Sequence, residues 1–585
     1  MDQQFGFERL ATTEIVESPA TVDLVNPYNE VVRRLIQGTP GLYVGRVLYG
    51  NYIVLHINEE DIETVAPTGV SSGFRLFPTV LGLLGREELT ASGITQAQED
   101  PALNLRGQGV LVGIVDTGID YLNGAFRNPD GSTRVRYIWD QSISGNPPQP
   151  GYLLGTEYTM ARINEALASP QPRDLVPHRD TAGHGTFLAS LAAGGAQGPL
   201  LGAAPQSELI VVKLRRAGRY LRNRYLVPES QEHAYSASDL MLGVNYIIER
   251  ATALGRPVSI CIGLGTNYGG HNGFDPLEEY LSRLSTRTGV AISVAAGNEA
   301  LARHHYYGHM ESAGEIHQIG IRAEGTPDSF GMQIWNFGTE RLSVSVTSPG
   351  GEVVGRVPAR PGGNMTSQLI LERSRVSIEY YFPLPGSGSQ VSWIRIVDPT
   401  PGVWTVSVYG DIITEGSFDA YLPMTGFVSP GVEFLNPSPD RTITLPGSAM
   451  TVLTVGGYDS HINSLYADSS WGPTRLPLLS PDLCAPAVTV QGMYPIGSGT
   501  MTGTSVAAAI AAGASAQMLQ WGVVEGNDPA VNTGLIRSYF TLGCLRDPGI
   551  QYPNNQWGYG RLNLYNVFAQ MGSEDAVLLP EQTPP

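Results

Sequence analysis

The sequence predicts an α/β fold built on a parallel sheet, with a small α+β unit before it and an antiparallel β domain inserted within it. Continuous apolar runs alternate with helix-like stretches over much of the chain, which is typical of βαβ units. In the middle of the chain, short segments alternate apolar with polar residues between Gly/Pro-rich turns, which indicates an antiparallel sandwich such as a jelly roll. The chain has 585 residues, 42% of them hydrophobic, and can therefore bury a large core.

The α/β elements are predicted from apolar runs and helix signals. Four runs, at 110–116, 209–213, 258–263 and 290–297, have the continuous apolar character of strands buried on both faces. One helix is predicted from Ser238, with Ser238 or Asp239 as its N-cap. A second is predicted from Pro276, where proline is followed by acidic residues, and an alanine-rich third from Thr504.

These elements divide the chain into domains. We place the α+β unit at residues 1–75 and the α/β domain at 76–311 and 437–570. The all-β insert occupies 312–436, and residues 571–585 have the composition of a disordered tail.

Composition and charge exclude several classes of function. The net charge of −18 disfavours binding to nucleic acid or to an anionic membrane surface. Three cysteines without C-x-x-C spacing predict neither a disulfide framework nor a zinc site. The N-terminal residues lack the pattern of a secretory signal, and no stretch reaches eighteen uninterrupted apolar residues. We therefore expect a protein that is made in the cytoplasm and does not span a membrane.

Four short segments place reactive side chains at the ends of predicted elements. Asp116 ends a buried strand in DTGID, and His184 begins a helix-like stretch in DTAGHGT. Asn298 follows a buried strand in SVAAGNEA, and Ser505 begins the alanine-rich helix in GTMTGTSVAAAIAAG. Each residue alone is explained equally well as a turn residue or a helix cap. Together they supply an acid, a base, an amide and a nucleophile, and Asp, His and Ser follow one of the known chain orders of a catalytic triad.

The four segments resemble the signature blocks of the subtilase serine peptidases. The segments LGAAPQSELIVVKL, SPDLCAPAV and WGYGRLNLYNVF extend the resemblance over residues 76–310 and 437–570. The segments RGQGVLVGIVDTGIDY, GLGTNYGGHNG and NNQWGYGRLNLYNVF, with an insert before the serine block, resemble more closely the Csp subtilases of clostridial spores. That resemblance implies a subtilisin-like catalytic domain with an inserted jelly-roll domain.

The resemblance also implies a role for each of the four side chains. Ser505 would be the nucleophile and His184 the general base that later protonates the leaving amine. Asp116 would orient His184 and stabilise its charged form. Asn298, with the Ser505 main-chain N–H, would stabilise the oxyanion. An α/β-hydrolase is excluded, because Ser505 does not lie in G-x-S-x-G and the chain order differs.

A substrate-binding strand is implied at Gly263, Leu264 and Gly265, where an extended peptide would pair by β-augmentation. Three positions depart from the commonest subtilase pattern. Gly263 stands where serine is frequent, Phe187 where many members have a second histidine, and Val506 where methionine is usual. None of them removes a catalytic group, but they leave the substrate preference open.

Residues 1–75 resemble a subtilase propeptide, which implies self-cleavage near residues 72–80 and retention of the propeptide in the active site. The resemblance to Csp proteases implies limited proteolysis of a cortex-lytic zymogen and a spore-associated location. Two alternatives remain open: a catalytically silent scaffold that senses a germination signal, and a broad-specificity housekeeping peptidase. The silent relatives lack triad residues, whereas all three are present here.

We expect no cofactor and no metal. The segment HHYYGH, with His304, His305 and His309, matches no strong metal-binding pattern, so an exposed loop after the Asn298 segment is favoured over a metal site. No D-x-D-x-D-G run indicates a calcium loop.

Overall fold

The computed structural model describes residues 9, 15, 21–27, 30–48, 52–58, 61, 87–148, 152–195, 197–198, 200–384 and 386–572. The chain divides into two compact units, Met1–Leu83 and Leu84–Pro585. The predicted cleavage region at 72–80 and all but two residues of the predicted tail lie outside the described residues.

The described part of the first unit is a small α+β unit. One helix, Glu30–Gly38, accompanies an antiparallel sheet whose strands follow the spatial order Thr21–Pro27, Tyr52–Asn58 and Leu42–Leu48. Strand residues such as Leu42, Ile53 and Leu55 are fully buried and form the core of the unit.

The second unit is centred on a mostly parallel sheet. From one edge to the other its strands are Ser464–Leu465, Leu453–Asp459, Val290–Ala295, Val258–Ile262, Leu111–Asp116, Glu208–Lys213, Val135–Asp140 and Thr156–Thr159. The strand Leu483–Pro486 also pairs with Leu453–Asp459. The four apolar runs of the sequence are adjacent inner strands of this sheet, and only its two edge pairs are antiparallel.

Helices cover both faces of the sheet, which explains the continuous apolar runs. Along the strand Leu111–Asp116, Val112 and Ile114 belong to one buried cluster and Leu111 and Val115 to another. The helices of this unit are Glu87–Ala91, Ile94–Glu99, Met160–Ala168, Pro172–Leu175, His184–Ala193, Arg219–Arg224, Ala237–Ala253, Pro276–Ser285, Thr504–Leu519, Thr533–Gly543 and Leu564–Met571, with 3-10 and π turns at Gly124–Phe126 and Gln520–Val524 and a hairpin at Val490–Met493 and Ser498–Met501.

Two helix starts can be compared with the sequence. Asp275 caps the helix Pro276–Ser285 through a full capping box with Glu278, in agreement with the predicted start at Pro276. The other predicted N-caps, Ser238 and Asp239, are wrong, because that helix begins at Ala237 with Ser236 as its N-cap. Asp239 is buried inside the first turn and instead binds Arg215.

The helix Thr504–Leu519 runs through the centre of the domain. All sixteen of its residues are buried, and it packs on the helix His184–Ala193 as well as on the sheet. Small residues make this close approach possible: the Gly513 position has no room for a side chain beside Ala203 and the Ala192 carbonyl. Among the described residues, the stretch Thr504–Val524 is apolar and long enough to cross a membrane, but 89% of it is buried inside the protein. This is the environment of a core helix.

The insert is a β-sandwich of two antiparallel sheets around one apolar core. The six-stranded sheet has the order His305–His309, Ser417–Tyr421, Phe330–Asn336, Gln390–Val397, Arg375–Tyr381 and Asn364–Gln368. The five-stranded sheet has the order Val353–Val357, Arg341–Thr347, Gly402–Ile412, Ile316–Ala323 and Val432–Phe434. The sandwich thus begins at His305, seven residues before the predicted boundary at 312.

Candidate active site

The predicted site residues meet at the carboxyl edge of the parallel sheet. Three neighbouring strands end there, and side chains that follow such strand ends are brought together in α/β folds. Asp116 is the last residue of its strand, Gly263 directly follows the next one, and Asn298 lies three residues beyond the third. His184 and Ser505 reach the same point from the first turns of two helices that pack on each other.

Asp116, His184 and Ser505 form one hydrogen-bonded chain. The His184 Nδ1 atom lies 2.8 and 2.9 Å from the two carboxylate oxygens of Asp116, and its Nε2 atom lies 3.2 Å from Ser505 Oγ. Asp116 is only 1% exposed, whereas the His184 side chain is 27% exposed towards the cleft. The buried carboxylate accepts a hydrogen bond from the Nδ1–H group, so the neutral ring carries no proton on Nε2, which faces the hydroxyl.

The surroundings of His184 stabilise its charged form. Burial lowers the pKa of His184, but the charge of Asp116, the hydrogen bond to Asp116 and the charge of Asp180 together raise it above its ordinary value. Asp180 accepts hydrogen bonds from the Thr117 hydroxyl at 2.8 Å, from Gly183 N at 2.8 Å and from both N–H and hydroxyl of Thr186. These bonds outweigh burial and hold the pKa of Asp180 below its ordinary value. Asp180 therefore remains ionised and also fixes the first turn of the His184 helix.

The Asn298 side chain is held by its oxygen. Its Oδ1 accepts hydrogen bonds from Thr504 N at 2.9 Å and Thr504 Oγ1 at 3.1 Å, and Thr504 Oγ1 in turn accepts one from Gly297 N at 3.0 Å. Asn298 is exposed in the cleft, and its Nδ2 donates to none of the described residues. A Cβ atom on Gly503 would lie 3.2 Å from Nδ2 and 3.6 Å from Ser505 Oγ, so the two groups flank one space. An oxyanion formed at Ser505 would lie within reach of this amide.

A cleft of about 570 Å³ opens over these groups. Gly263, Leu264 and Gly265, the predicted substrate strand, form one of its walls. The main-chain groups of Leu264 and Gly265 make no hydrogen bond within the described part of the chain, which leaves an edge to which an extended peptide can pair. The remaining lining residues are His184, Ala295, Gly297, Asn298, Glu299, Leu301, Ala302, Met424, Thr425, Thr444, Tyr466, Asp468, Thr504 and Ser505.

Sequence reasoning missed several residues of the site. Thr504 was treated only as a helix start, although its hydroxyl orients Asn298. Asp180 stands in the quoted segment DTAGHGT, four residues before His184, but sequence reasoning assigned it no role. Met424 and Thr425 reach the cleft from the end of the β-sandwich, and no local pattern marks them.

The histidines of HHYYGH do not form the exposed loop that the sequence favoured. His304 and His305 are buried, and His305 begins the first strand of the sandwich. Each binds a buried carboxylate: His304 Nδ1 lies 2.8 Å from Glu299, and His305 Nε2 lies 3.0 Å from Asp419. The interpretation was wrong because this segment lies at the junction of the insert with the α/β domain. Within the described ranges, no group of three or more His, Cys, Asp or Glu side chains could hold a metal ion.

Comparison with known proteins gives two related findings. The family model described as the subtilase family, Peptidase_S8, matches residues 107–387 and 433–560. The solved structure of the Clostridium perfringens CspB protease is similar to this chain at 30% sequence identity and a TM-score of 0.73, covering 83% of this chain and 99% of that one. The prenylagaramide maturation protease PagA matches at 14% identity and a TM-score of 0.39, over 82% of this chain and 98% of that one. No curated protein gave a significant match.

The first matched range ends at residue 387, inside the sandwich. The second begins at residue 433 and includes the Ser505 segment. The CspB structure, by contrast, is matched over 99% of its length. The predicted subtilisin-like fold and the predicted resemblance to Csp proteases are confirmed. The chain belongs to the subtilase family and is a subtilisin-like serine peptidase.

Proposed function

We propose that the chain is a serine endopeptidase whose nucleophile is Ser505. The proposal rests on the series of hydrogen bonds that links Asp116, His184 and Ser505. His184 Nδ1 lies 2.8 Å from Asp116 Oδ1, and His184 Nε2 lies 3.2 Å from Ser505 Oγ. Ser505 Oγ attacks the scissile carbonyl carbon as its proton passes to His184 Nε2. The same proton then passes to the leaving amine, and water hydrolyses the acyl-enzyme by the reverse sequence.

Asn298 and the first turn of the Ser505 helix stabilise the charge that develops on the carbonyl oxygen. The amide Nδ2 faces the cleft, while Thr504 holds its oxygen. Main-chain N–H groups at a helix start have no intrahelical acceptor, and the helix dipole favours negative charge there. The peptide on the acyl side would extend along Gly263, Leu264 and Gly265.

The biological role we propose is activation of a protein substrate by limited proteolysis. The chain would first cut its own N-terminal region near residues 72–80 and keep the propeptide bound. The resemblance to the Csp subtilases of clostridial spores supports a cortex-lytic zymogen as substrate and a spore-associated location, without a nucleic-acid or membrane partner. One solved relative is named as the CspB protease of Clostridium perfringens, which agrees with that resemblance.

Intact-mass analysis of the full chain tests the catalytic proposal. Wild-type protein is expected to split near residues 72–80, whereas Ser505→Ala remains whole at 62.7 kDa. Ser515→Ala is the matched control, because Ser515 is a buried serine of the same helix whose hydroxyl only binds the Ala511 carbonyl. This control is expected to split like the wild type.

Two other outcomes would contradict parts of the proposal. If the wild type stays whole, self-cleavage fails, and a fluorophosphonate probe then decides between a peptidase without self-cleavage and a silent scaffold that binds a germination signal. Labelling of Ser505 by the probe retains the peptidase, and lack of labelling favours the scaffold. If Ser505→Ala is split as well, another protease cuts the segment.

A further inference from the structure

Glu299 follows Asn298 directly and is a buried carboxylate. It is 5% exposed, and both of its oxygens accept hydrogen bonds. Oε2 lies 3.0 Å from Asn267 Nδ2 and 2.8 Å from His304 Nδ1, and Oε1 lies 3.0 Å from Thr425 N. No arginine or lysine pairs with it among the described residues. A buried charge of this kind is tolerated only where several donors satisfy it, so the position of each donor is tightly constrained.

The three donors come from three different parts of the molecule. Asn267 lies two residues beyond the substrate strand that ends at Gly265. His304 immediately precedes the first strand of the sandwich, and Thr425 follows the strand Ser417–Tyr421, which pairs with that first strand. Glu299 therefore joins one end of a strand pair of the insert, where His305 faces Tyr421, to the wall of the cleft.

The main chain around Asn298 is held on both sides. Glu299 N donates to Ser470 Oγ at 3.0 Å, and Ser470 N donates to the Gly297 carbonyl at 2.9 Å. The Asn298 side chain extends from this segment into the cleft, where Thr504 holds its oxygen. A donor for an oxyanion must be in place before the charge develops, and small displacements of such groups reduce turnover strongly. The hydrogen bonds of Glu299 to His304 and Thr425 restrain the main chain beside Asn298 and connect it to the insert.

We propose that Glu299 is a positioning residue through which the inserted β-sandwich holds Asn298 in place for oxyanion stabilisation. This inference rests on the proposed function, since it assumes that Asn298 donates to the oxyanion. The insert then affects turnover at the cleft directly, in addition to contributing Met424 and Thr425 to the cleft wall.

The test uses Glu299→Gln in the full chain. The amide keeps the size of the carboxylate but presents N–H groups to at least one of the three donors. The assay is hydrolysis of internally quenched peptides, with the concentration of active sites measured by fluorophosphonate titration. In the variant, kcat is expected to fall about tenfold and KM to change less than about twofold, because the lost interaction belongs to the transition state. The rate of fluorophosphonate labelling of Ser505 is expected to fall in parallel.

A double-variant cycle separates positioning from general loss of structure. If Glu299 acts through Asn298, Glu299→Gln is expected to have no further effect on kcat in an Asn298→Ala background. The matched control is Glu340→Gln, since Glu340 is another fully buried glutamate and accepts main-chain hydrogen bonds from Glu415 and Gly416 inside the sandwich. This control is expected to lower the melting temperature while kcat is unchanged. If Glu299→Gln does not fold, His304→Phe removes one donor and is expected to lower kcat in the same direction.

Each result has a distinct meaning. Any one of three results would overturn the inference and leave the proposed peptidase intact. These are a wild-type kcat in Glu299→Gln, an effect on kcat that is additive with that of Asn298→Ala, and an equal loss of kcat in Glu340→Gln. A wild-type protein that neither cleaves peptides nor reacts with the probe would overturn the proposed function, and this inference with it.

Discussion

Replacing Gly185 with alanine is expected to separate His184 from Asp116. Gly185 is the second residue of the helix His184–Ala193, and its N–H donates to Thr117 Oγ1 at 2.9 Å. A Cβ atom at this position would overlap the carbonyl oxygen of Gly118 and lie 3.2 Å from Asp116 Cβ. The obstacle is main chain of the loop that follows the Asp116 strand, so no side-chain rotation relieves it.

The size of the effect follows from the hydrogen-bond geometry. The helix must move away from the strand until the new Cβ clears the carbonyl oxygen. A movement of about 0.4 Å already lengthens the 2.8 Å distance between His184 Nδ1 and Asp116 Oδ1 to the upper limit of an N–H···O bond. Displacements approaching 1 Å cost about a hundredfold in turnover. Alanine gains about 1 kcal/mol over glycine as a helix former, but overpacking costs about 1–3 kcal/mol, so the protein is also destabilised.

The assay compares Gly185→Ala with Gly218→Ala by the rate of fluorophosphonate labelling at Ser505 and by the melting temperature. Gly218 is an exposed helix N-cap with φ −61°, and a Cβ atom there would meet nothing within 4 Å. Gly218→Ala is expected to match the wild type in both measurements, whereas Gly185→Ala is expected to label about ten- to a hundredfold more slowly. Wild-type labelling of Gly185→Ala would refute the reasoning that the helix–strand distance sets the His184–Asp116 contact.

Three further predictions concern single groups. Asn298→Ala is expected to lower kcat about a hundred- to a thousandfold in steady-state peptide hydrolysis, with a small change in KM, because the role we propose for its amide is stabilisation of the transition state. His184 accepts a proton only when neutral, so kcat/KM is expected to fall as the pH drops through the raised pKa of His184. Asp180→Asn removes one of the charges that raise this pKa. The variant is therefore expected to shift the acid limb of the pH profile to lower pH. Burial raises the pKa of the Cys544 thiol to about 12, and it also raises the pKa of the Cys261 and Cys484 thiols above its ordinary value. Ellman's reagent at pH 8 is therefore expected to react with the three cysteines only after the protein unfolds.

The parts of the fold that were predictable from the sequence are those with local signals. The inner strands of the parallel sheet are buried on both faces, so four of them appear as continuous apolar runs, two of which end at Asp116 and just before Asn298. The candidate site residues Asp116, His184, Asn298 and Ser505 also lie at strand ends and helix starts, but their roles were implied by the resemblance to subtilases and not by these local signals.

The elements that were missed lack such signals. The strand Thr21–Pro27 has the sequence TVDLVNP, whose aspartate, asparagine and proline are typical of turns, and pairing with Tyr52–Asn58 overrides those local preferences. The N-cap Ser236 lies just before the predicted caps Ser238 and Asp239, and the three residues have similar capping preferences. In both cases the outcome depends on contacts with residues far along the chain.

The Glu299 network shows why the role of the insert could not be deduced from sequence. Glu299 and Thr425 are separated by 126 positions, and their hydrogen bond exists only because the strand Ser417–Tyr421 pairs with His305–His309. The same pairing buries His304 and His305, which the sequence placed in an exposed loop. Since residues at one end of this strand pair contact Glu299, which directly follows Asn298, we expect a displacement of the pair to affect Asn298 before Asp116 or His184. An insert attached in this way can influence turnover without touching the triad.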